Sequence, residues 1–128
     1  MIKYTKEELN KILEDHKLWL NDNKTGKRAD LSDANLENAN LYDANLRNAN
    51  LRGAYLYGAI LEYANLRNAD LRHTNLSNAN LYGAILCRSN LEIASLKGAN
   101  LYKANLSDAN LSGVDLRDAI FWENKYND

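Results

Sequence analysis

The residues that could carry acid–base, nucleophilic or metal chemistry are few and scattered. The chain has two histidines, His16 and His73, and one cysteine, Cys87. A Cys–His nucleophile pair needs hydrogen-bond reach, and no motif brings His73 to Cys87. No Cys/His grouping has the spacing of a zinc site, one cysteine excludes a disulfide framework, and no glycine-rich phosphate loop is present. We therefore expect a protein that is not an enzyme, with no catalytic residue, no metal site and no cofactor.

Length and charge restrict the class of protein further. The chain has 128 residues and a formal net charge of −1, which suits one domain and gives no general attraction to nucleic acid or anionic membranes. The N-terminus has no long apolar run, so it resembles neither a signal peptide nor a membrane anchor. The sequence predicts a soluble, cytoplasmic protein with no membrane partner and no direct nucleic-acid binding.

A five-residue repeat dominates the chain from residue 29 to residue 123. Its 19 copies read Ala-(Asp/Asn)-Leu-X-X, with Leu central in 18 copies and Phe121 in the last. The residue two before the centre is Ala in 16 copies, and the exceptions are Thr74, Ser89 and Val114. Both positions therefore admit only apolar or small groups.

A period of five fits neither standard element. Leucines five apart scatter around a helix and alternate between the faces of a strand. The chain must turn once per repeat, and the residue two after each centre is Gly, Asn or Asp in 13 copies, as positive φ at a turn favours. Leu and Ala therefore face the inside of a solenoid whose coils stack about 4.8 Å apart. Outward Asn and Asp before each centre are expected to bond to the backbone.

These Ala-(Asp/Asn)-Leu-X-X copies resemble the pentapeptide-repeat family over 95 of the 128 residues. The resemblance implies an all-β solenoid, a right-handed quadrilateral β-helix with four repeats per coil. Nineteen repeats then give about 4.75 coils. We expect a capping segment over residues 1–28, the β-helix over 29–123 and a tail over 124–128.

The two ends of the solenoid need cover. Thr5 and Glu8 form a capping box, and apolar residues at helical spacing predict a capping helix over residues 5–20, with His16 and Trp19 packed inside and a turn over 21–26. The other end offers only Phe121, Trp122 and Tyr126. Either these aromatic residues fold over the end, or the end pairs with a second copy as the family resemblance implies.

If positions twenty apart stack, one side of the solenoid collects aromatic and aliphatic side chains. We call this set the aromatic face: Tyr42, Ile60, Tyr63, Tyr82, Tyr102, Ile120 and Trp122. Such a set is typical of a partner-binding surface, and it equally forms a ladder that stabilises neighbouring strands.

A second predicted feature is a basic edge formed by Arg47, Arg52, Arg67, Arg72 and Arg88. A solvated surface of mixed sign is the alternative interpretation of these residues.

Three functions remain open. The first is a protein–protein interaction module that presents the aromatic face, with a homodimer through the C-terminal end as one form. The second comes from the resemblance: some pentapeptide-repeat proteins mimic duplex DNA and modulate type II topoisomerases, protecting them from quinolone drugs. The third is a structural solenoid without a fixed partner.

Overall fold

The computed structural model describes residues 1–22 and 24–123. A two-residue strand, β1 (Ile2–Lys3), precedes one helix, α1 (Lys6–Asp22), and the solenoid follows with a second short strand, β2 (Ala34–Asn35). The rest of the solenoid is held by isolated parallel β-bridges. The predicted tail over 124–128, which includes Tyr126, lies outside the described residues.

Each repeat makes one tight turn. In all eighteen turns from Leu31 to Ala119, the N–H three residues after the central Leu donates to that Leu's carbonyl. The residue two after the Leu has a φ between 55° and 70° in every case, the signature of a type II turn. Positive φ therefore extends to five residues outside the expected types: Tyr63, His73, Arg88, Ile93 and Lys103.

Coils stack in a register of twenty residues. The Leu31 N–H donates to the Asn50 carbonyl at 2.7 Å, and the Asn50 N–H donates to the Ala29 carbonyl at 3.0 Å. Bridges of the same register run from Asp30–Asn50 to Asn100–Ile120. Four repeats therefore complete one coil, and the chain forms the predicted right-handed quadrilateral β-helix with a helix at its N-terminus.

The core is a column of leucine layers separated by alanines. Every central leucine from Leu31 to Leu101 is at most 3% exposed. Two hydroxyl residues replace alanine inside, and each is satisfied locally: Thr74 Oγ1 donates to the Leu71 carbonyl at 2.8 Å, and Ser89 Oγ donates to the Leu86 carbonyl at 2.7 Å. The interior is therefore continuous from coil to coil.

The outward Asn and Asp residues have the structural role that the sequence predicts. In all fourteen copies that carry one, the side-chain oxygen accepts the backbone N–H two residues later, as Asn65 does from Arg67 at 3.1 Å. These bonds fix the entry into each turn. One side-chain oxygen of each of these residues is therefore already hydrogen-bonded to the backbone.

Helix α1 caps the first coil. The capping box is present, since the Glu8 N–H donates to Thr5 Oγ1 and the Thr5 N–H donates to Glu8 Oε1, both at 3.1 Å. The helix ends at Asp22, so part of the predicted turn over 21–26 is helical instead. Gly26 lies so close to the helix that a Cβ would overlap the Asp15 carbonyl and the Leu18 side chain. The chain therefore returns to the solenoid directly under α1.

His16 joins the cap to the solenoid. Its side chain is fully buried; Nδ1 accepts the Ala29 N–H at 2.9 Å, and Nε2 lies 2.8 Å from the Arg47 carbonyl. A neutral ring with its proton on Nε2 satisfies both partners. Burial is the main cause that lowers the pKa of His16 below its ordinary value. The prediction that His16 packs inside the cap is confirmed.

Candidate interaction surfaces

Four tyrosines of the aromatic face form a continuous chain of rings. Ring centroids lie 5.9 Å apart for Tyr42–Tyr63, 5.6 Å for Tyr63–Tyr82 and 5.7 Å for Tyr82–Tyr102. The first two pairs meet edge to face, the geometry that aromatic quadrupoles favour. Lys103 Nζ lies 5.6 Å from the Tyr102 ring centroid and adds a cation–π contact. The stabilising ladder is therefore real for these four residues.

The ladder crosses from one column of the solenoid to the next at Tyr63. Glu62 takes the place above Tyr42, and the missing ring is supplied by Tyr63, which has a φ of 58°. The Tyr63 ring lies over Gly83, where an added Cβ would come within 2.8 Å of two ring carbons. Desolvation, followed by the charge and hydroxyl of Tyr82, raises the pKa of Tyr63 above its usual range. Gly83 therefore makes room for the central ring.

The ring-to-ring contacts leave part of the aromatic face exposed to solvent. Tyr42 remains 56% exposed and Tyr63 46% exposed, whereas Tyr82 and Tyr102 are half-buried. Ile60 lies on the same side, bridged to Asn40 and Asn80, and is 38% exposed. The outer edges of the ladder thus present a shallow apolar surface to solvent.

That surface continues onto the last coil, which the described residues leave uncovered. We call this region the open end: Leu111, Leu116, Ile120, Phe121 and Trp122, with exposed fractions from 36% to 65%. Among the described residues, the N–H groups of Leu111 and Leu116 find no acceptor in a further coil, whereas those of Leu91 and Leu96 do. The open end therefore combines exposed leucine, aromatic rings and an unpaired strand edge.

The predicted basic edge covers two neighbouring sides of the solenoid, as the stacking of positions twenty apart implies. Arg47, Arg67 and Arg88 follow the layer of Leu46, Leu66 and Leu86, and all three are exposed. Arg52 and Arg72 lie on the next side, where Arg72 binds Asp70 with two bonds of 2.8 and 2.6 Å. The Arg72 guanidinium also lowers the pKa of Asp70. The two groups of arginines therefore have different electrostatic surroundings.

Sequence reasoning missed one cluster. The Tyr55 and Tyr57 rings stack with centroids 6.2 Å apart, and Asn78 Nδ2 donates to the Tyr57 hydroxyl at 2.7 Å. Tyr55 was visible as a break in the Asn/Asp pattern, but the two rings belong to one repeat and leave no twenty-residue signal. This pair lies on a different side from the aromatic face.

The rest of the described structure offers no chemical centre. Within residues 1–22 and 24–123, no group of three His, Cys, Asp or Glu side chains could hold a metal ion. His73 and Cys87 lie on different sides of the solenoid, as their repeats require. In the same ranges, no helix has the length and apolar content to cross a membrane.

Comparison with known proteins matches the repeat architecture. A family model described as "Pentapeptide repeats (8 copies)" matches residues 27–62, 61–92 and 88–122. The chain belongs to the pentapeptide-repeat family. A comparison with curated protein sequences returns no significant match.

Two solved pentapeptide-repeat structures are similar to this chain. Rfr23 from the cyanobacterium Cyanothece 51142 is 39% identical with a TM-score of 0.73, over 77% of this chain and 68% of that one. A pentapeptide-repeat protein of the Arabidopsis thaliana thylakoid lumen is 32% identical with a TM-score of 0.70, over 73% and 66%. This chain thus spans about two thirds of each. QnrB1, a plasmid-mediated fluoroquinolone resistance protein, is 24% identical at most, with TM-scores below 0.5, which carries no argument about function.

Proposed function

We propose that this pentapeptide-repeat protein is a non-enzymatic interaction module that pairs with a second copy through its open end and offers the aromatic face to a protein partner. One observation carries the proposal: the same side of the solenoid that holds the tyrosine ladder from Tyr42 to Tyr102 ends at the exposed Ile120 and Trp122 of the last coil. Trp122 is 65% exposed and belongs to both the aromatic face and the open end. Large exposed aromatic residues are common anchors of protein interfaces.

The exposed last coil favours self-association. A terminal coil exposes apolar side chains and a strand edge, and another chain that stacks on it removes both from water. A second copy carries the same surface, so a twofold pair is self-complementary. The aromatic face reaches this junction at Ile120 and Trp122, so it would border the interface.

The solution mass tests this proposal. We expect the wild type to behave as a dimer, twice the 14.5 kDa of the chain, in light scattering, and Trp122→Asp to give the monomer mass. Ile93→Asp is the matched control, because Ile93 is 54% exposed, lies on another side and has a φ of 59° that Asp tolerates. A wild-type monomer, or equal dissociation in both variants, would contradict self-association at the open end.

The aromatic face has a separate test in Tyr82→Ser and Tyr102→Ser. Loss of the ring contacts lowers the melting temperature under either interpretation, and a binding role predicts in addition weaker dimers or weaker capture of a partner. A ladder that only stabilises predicts a lower melting temperature with the same mass and the same partner binding, since each aromatic pair contributes roughly 0.5–1.5 kcal/mol.

Charge does not favour the topoisomerase-mimic alternative. A DNA mimic needs carboxylates in a continuous row. On the three sides that carry most of the acids, described basic residues interrupt them: Arg52, Arg72, Lys97, Lys103 and Arg117. A solenoid without a fixed partner predicts that Trp122→Asp leaves the solution mass unchanged, whereas the topoisomerase-mimic alternative also involves a dimer and is separated by charge, not by mass.

A further inference from the structure

One side of the solenoid carries arginines that form no ion pair among the described residues. We call this set the arginine column: Arg28, directly before the first repeat, and Arg47, Arg67 and Arg88 in three successive coils. All four side chains are exposed. Arg28 is tied to the column because its Nε donates to the Asn48 carbonyl at 2.7 Å. In the described part of the chain, the ion pairs involve other residues, namely Lys11–Asp15, Arg72–Asp70 and Arg117–Asp115.

The acids of the repeats avoid this side. Ten of the eleven Asp and Glu residues between positions 29 and 123 belong to the other three sides, and only Asp108, in the last copy, belongs to this one. Asp30 follows the first member, Arg28, by two residues, and hydrogen bonds from Ser32, with a smaller contribution from Arg28, lower the pKa of Asp30. Asp108 occupies the position next to Arg88 in the following coil, so only Arg47 and Arg67 have no acidic neighbour on their own side.

Charge repulsion within this column is unfavourable for the fold. Arg47, Arg67 and Arg88 recur once per coil, about 4.8 Å apart, which places their backbone positions within roughly 10 Å. Like charges at that spacing repel one another. Two arginines on other sides are paired, Arg72 with Asp70 and Arg117 with Asp115. An anionic partner would relieve the repulsion within the column.

The column has an apolar residue in its middle and no aromatic ring. Ile85 bridges to Asn65, is 37% exposed and stands beside Arg67 and Arg88 in the stacked coils. Single-stranded nucleic acid is bound through aromatic stacking platforms, and the stacked positions of this side hold none. The net charge of −1 also gives no general attraction to phosphate backbones. Ile85 instead suits an aliphatic side chain flanked by carboxylates.

We propose that the arginine column binds an acidic helix of a protein partner, with carboxylates on one face and an aliphatic residue against Ile85. Carboxylates at positions i and i+4 of a helix recur at about 5–6 Å, close to the coil spacing of about 4.8 Å. Arginine forks bind carboxylates with two parallel hydrogen bonds, which fixes the orientation of the helix. This surface is distinct from the open end and the aromatic face.

Fluorescence anisotropy with a synthetic peptide tests the proposal on the full chain. The probe is a labelled helical peptide of about 18 residues, with Glu at every fourth position and Leu beside the acidic row. We expect binding that weakens between about 50 and 200 mM salt and falls about tenfold in Arg67→Glu. Arg52→Glu is the matched control, because Arg52 is also exposed but lies on the neighbouring side near Asp70, and it should bind within about twofold of wild type.

Three outcomes would overturn the proposal: no binding by the wild type, equal losses in Arg67→Glu and Arg52→Glu, or equal binding of a scrambled peptide of the same composition. Preferential binding of an oligothymidylate of about 20 nucleotides, lost in Arg67→Glu, would assign the column to nucleic acid instead. Arg67→Glu should keep the solution mass of the wild type, because the open end contains no member of the column. Loss of peptide binding at an unchanged mass therefore tests this proposal independently of self-association.

Discussion

The two ends of the solenoid carry the same repeat and reach different states. At the N-terminal end, Leu31 and Leu46 are completely buried because α1 and β1 lie across the first coil. At the C-terminal end, Leu111 and Leu116 are 36% and 37% exposed in the same repeat position. The repeat therefore fixes where a leucine points, and the next element along the axis decides whether it is buried. The leucines of a solenoid end stay partly exposed unless another element covers them.

The largest expected effect comes from truncating one leucine side chain to alanine at each end. Leu46→Ala should destabilise the protein by about 2–5 kcal/mol, since it leaves a cavity under the cap. Leu116→Ala in a monomeric background should cost clearly less, because its side chain is already partly in water. Urea unfolding of both variants measures the difference. Equal losses would mean that the two ends are equally covered and would break the comparison.

The next effect concerns the residue that fastens the cap. His16→Phe keeps a ring of similar size but leaves the Ala29 N–H and the Arg47 carbonyl unsatisfied. Each buried unsatisfied group costs about 1–3 kcal/mol, so we expect a loss of roughly 2 kcal/mol or more. Trp19→Phe is a matched control, since the ring next to His16 makes no such hydrogen bonds. If both variants unfold at the same urea concentration, the hydrogen bonds of His16 do not hold the cap.

The same residue makes the capped end sensitive to pH. Burial lowers the pKa of His16 in the folded state, so the unfolded state binds the extra proton first as pH falls. The contribution of His16 is present above its unfolded pKa of about 6.5 and is lost as pH decreases below it towards the lowered folded value. Unfolding free energies at several pH values, for the wild type and His16→Phe, should converge as pH falls through this window. A constant gap between them would rule out this linkage.

The smallest effect concerns backbone strain in the turns, which does not depend on whether a coil is covered. Ile93, a β-branched residue with a φ of 59°, occupies a turn position that favours Gly, Asn or Asp. Ile93→Asn should raise stability by up to about 1 kcal/mol, because Asn tolerates this conformation. Asn68→Ala, at an equivalent and exposed turn position with the same φ of 59°, should lower stability by a similar amount. Thermal melts of both variants measure the signs, and a stabilising Asn68→Ala would contradict the turn argument.

The repeat was readable from the sequence because its cause is local. Each turn requires a residue that tolerates positive φ, and each central Leu packs beside a small residue two positions earlier. Each Asn or Asp side chain accepts the backbone N–H of the residue two positions later. The same reasoning predicts the capping box at Thr5 and the burial of His16. The sequence predicts the end of α1 at residue 20, two residues too early. Helix termini depend on how the following segment packs, and here Gly26 lies against the helix. The same reasoning also misses the Tyr55–Tyr57 stack, which has no counterpart in other coils.

Five residues per turn and the Leu and Ala inside each turn follow from the sequence alone, because backbone turns and packing of Leu against Ala act between near neighbours. Four turns per coil came only from the family resemblance, and the twenty-residue register of the bridges confirms them. The pairing of the arginines is local as well, because Arg72 and Arg117 each follow an Asp by two residues whereas Arg67 follows Asn65. The shift of the aromatic ladder to Tyr63 depends instead on the stacked coils, since it requires the empty space above Gly83. Contacts between coils join residues about twenty positions apart, and their geometry appears only when the coils are stacked.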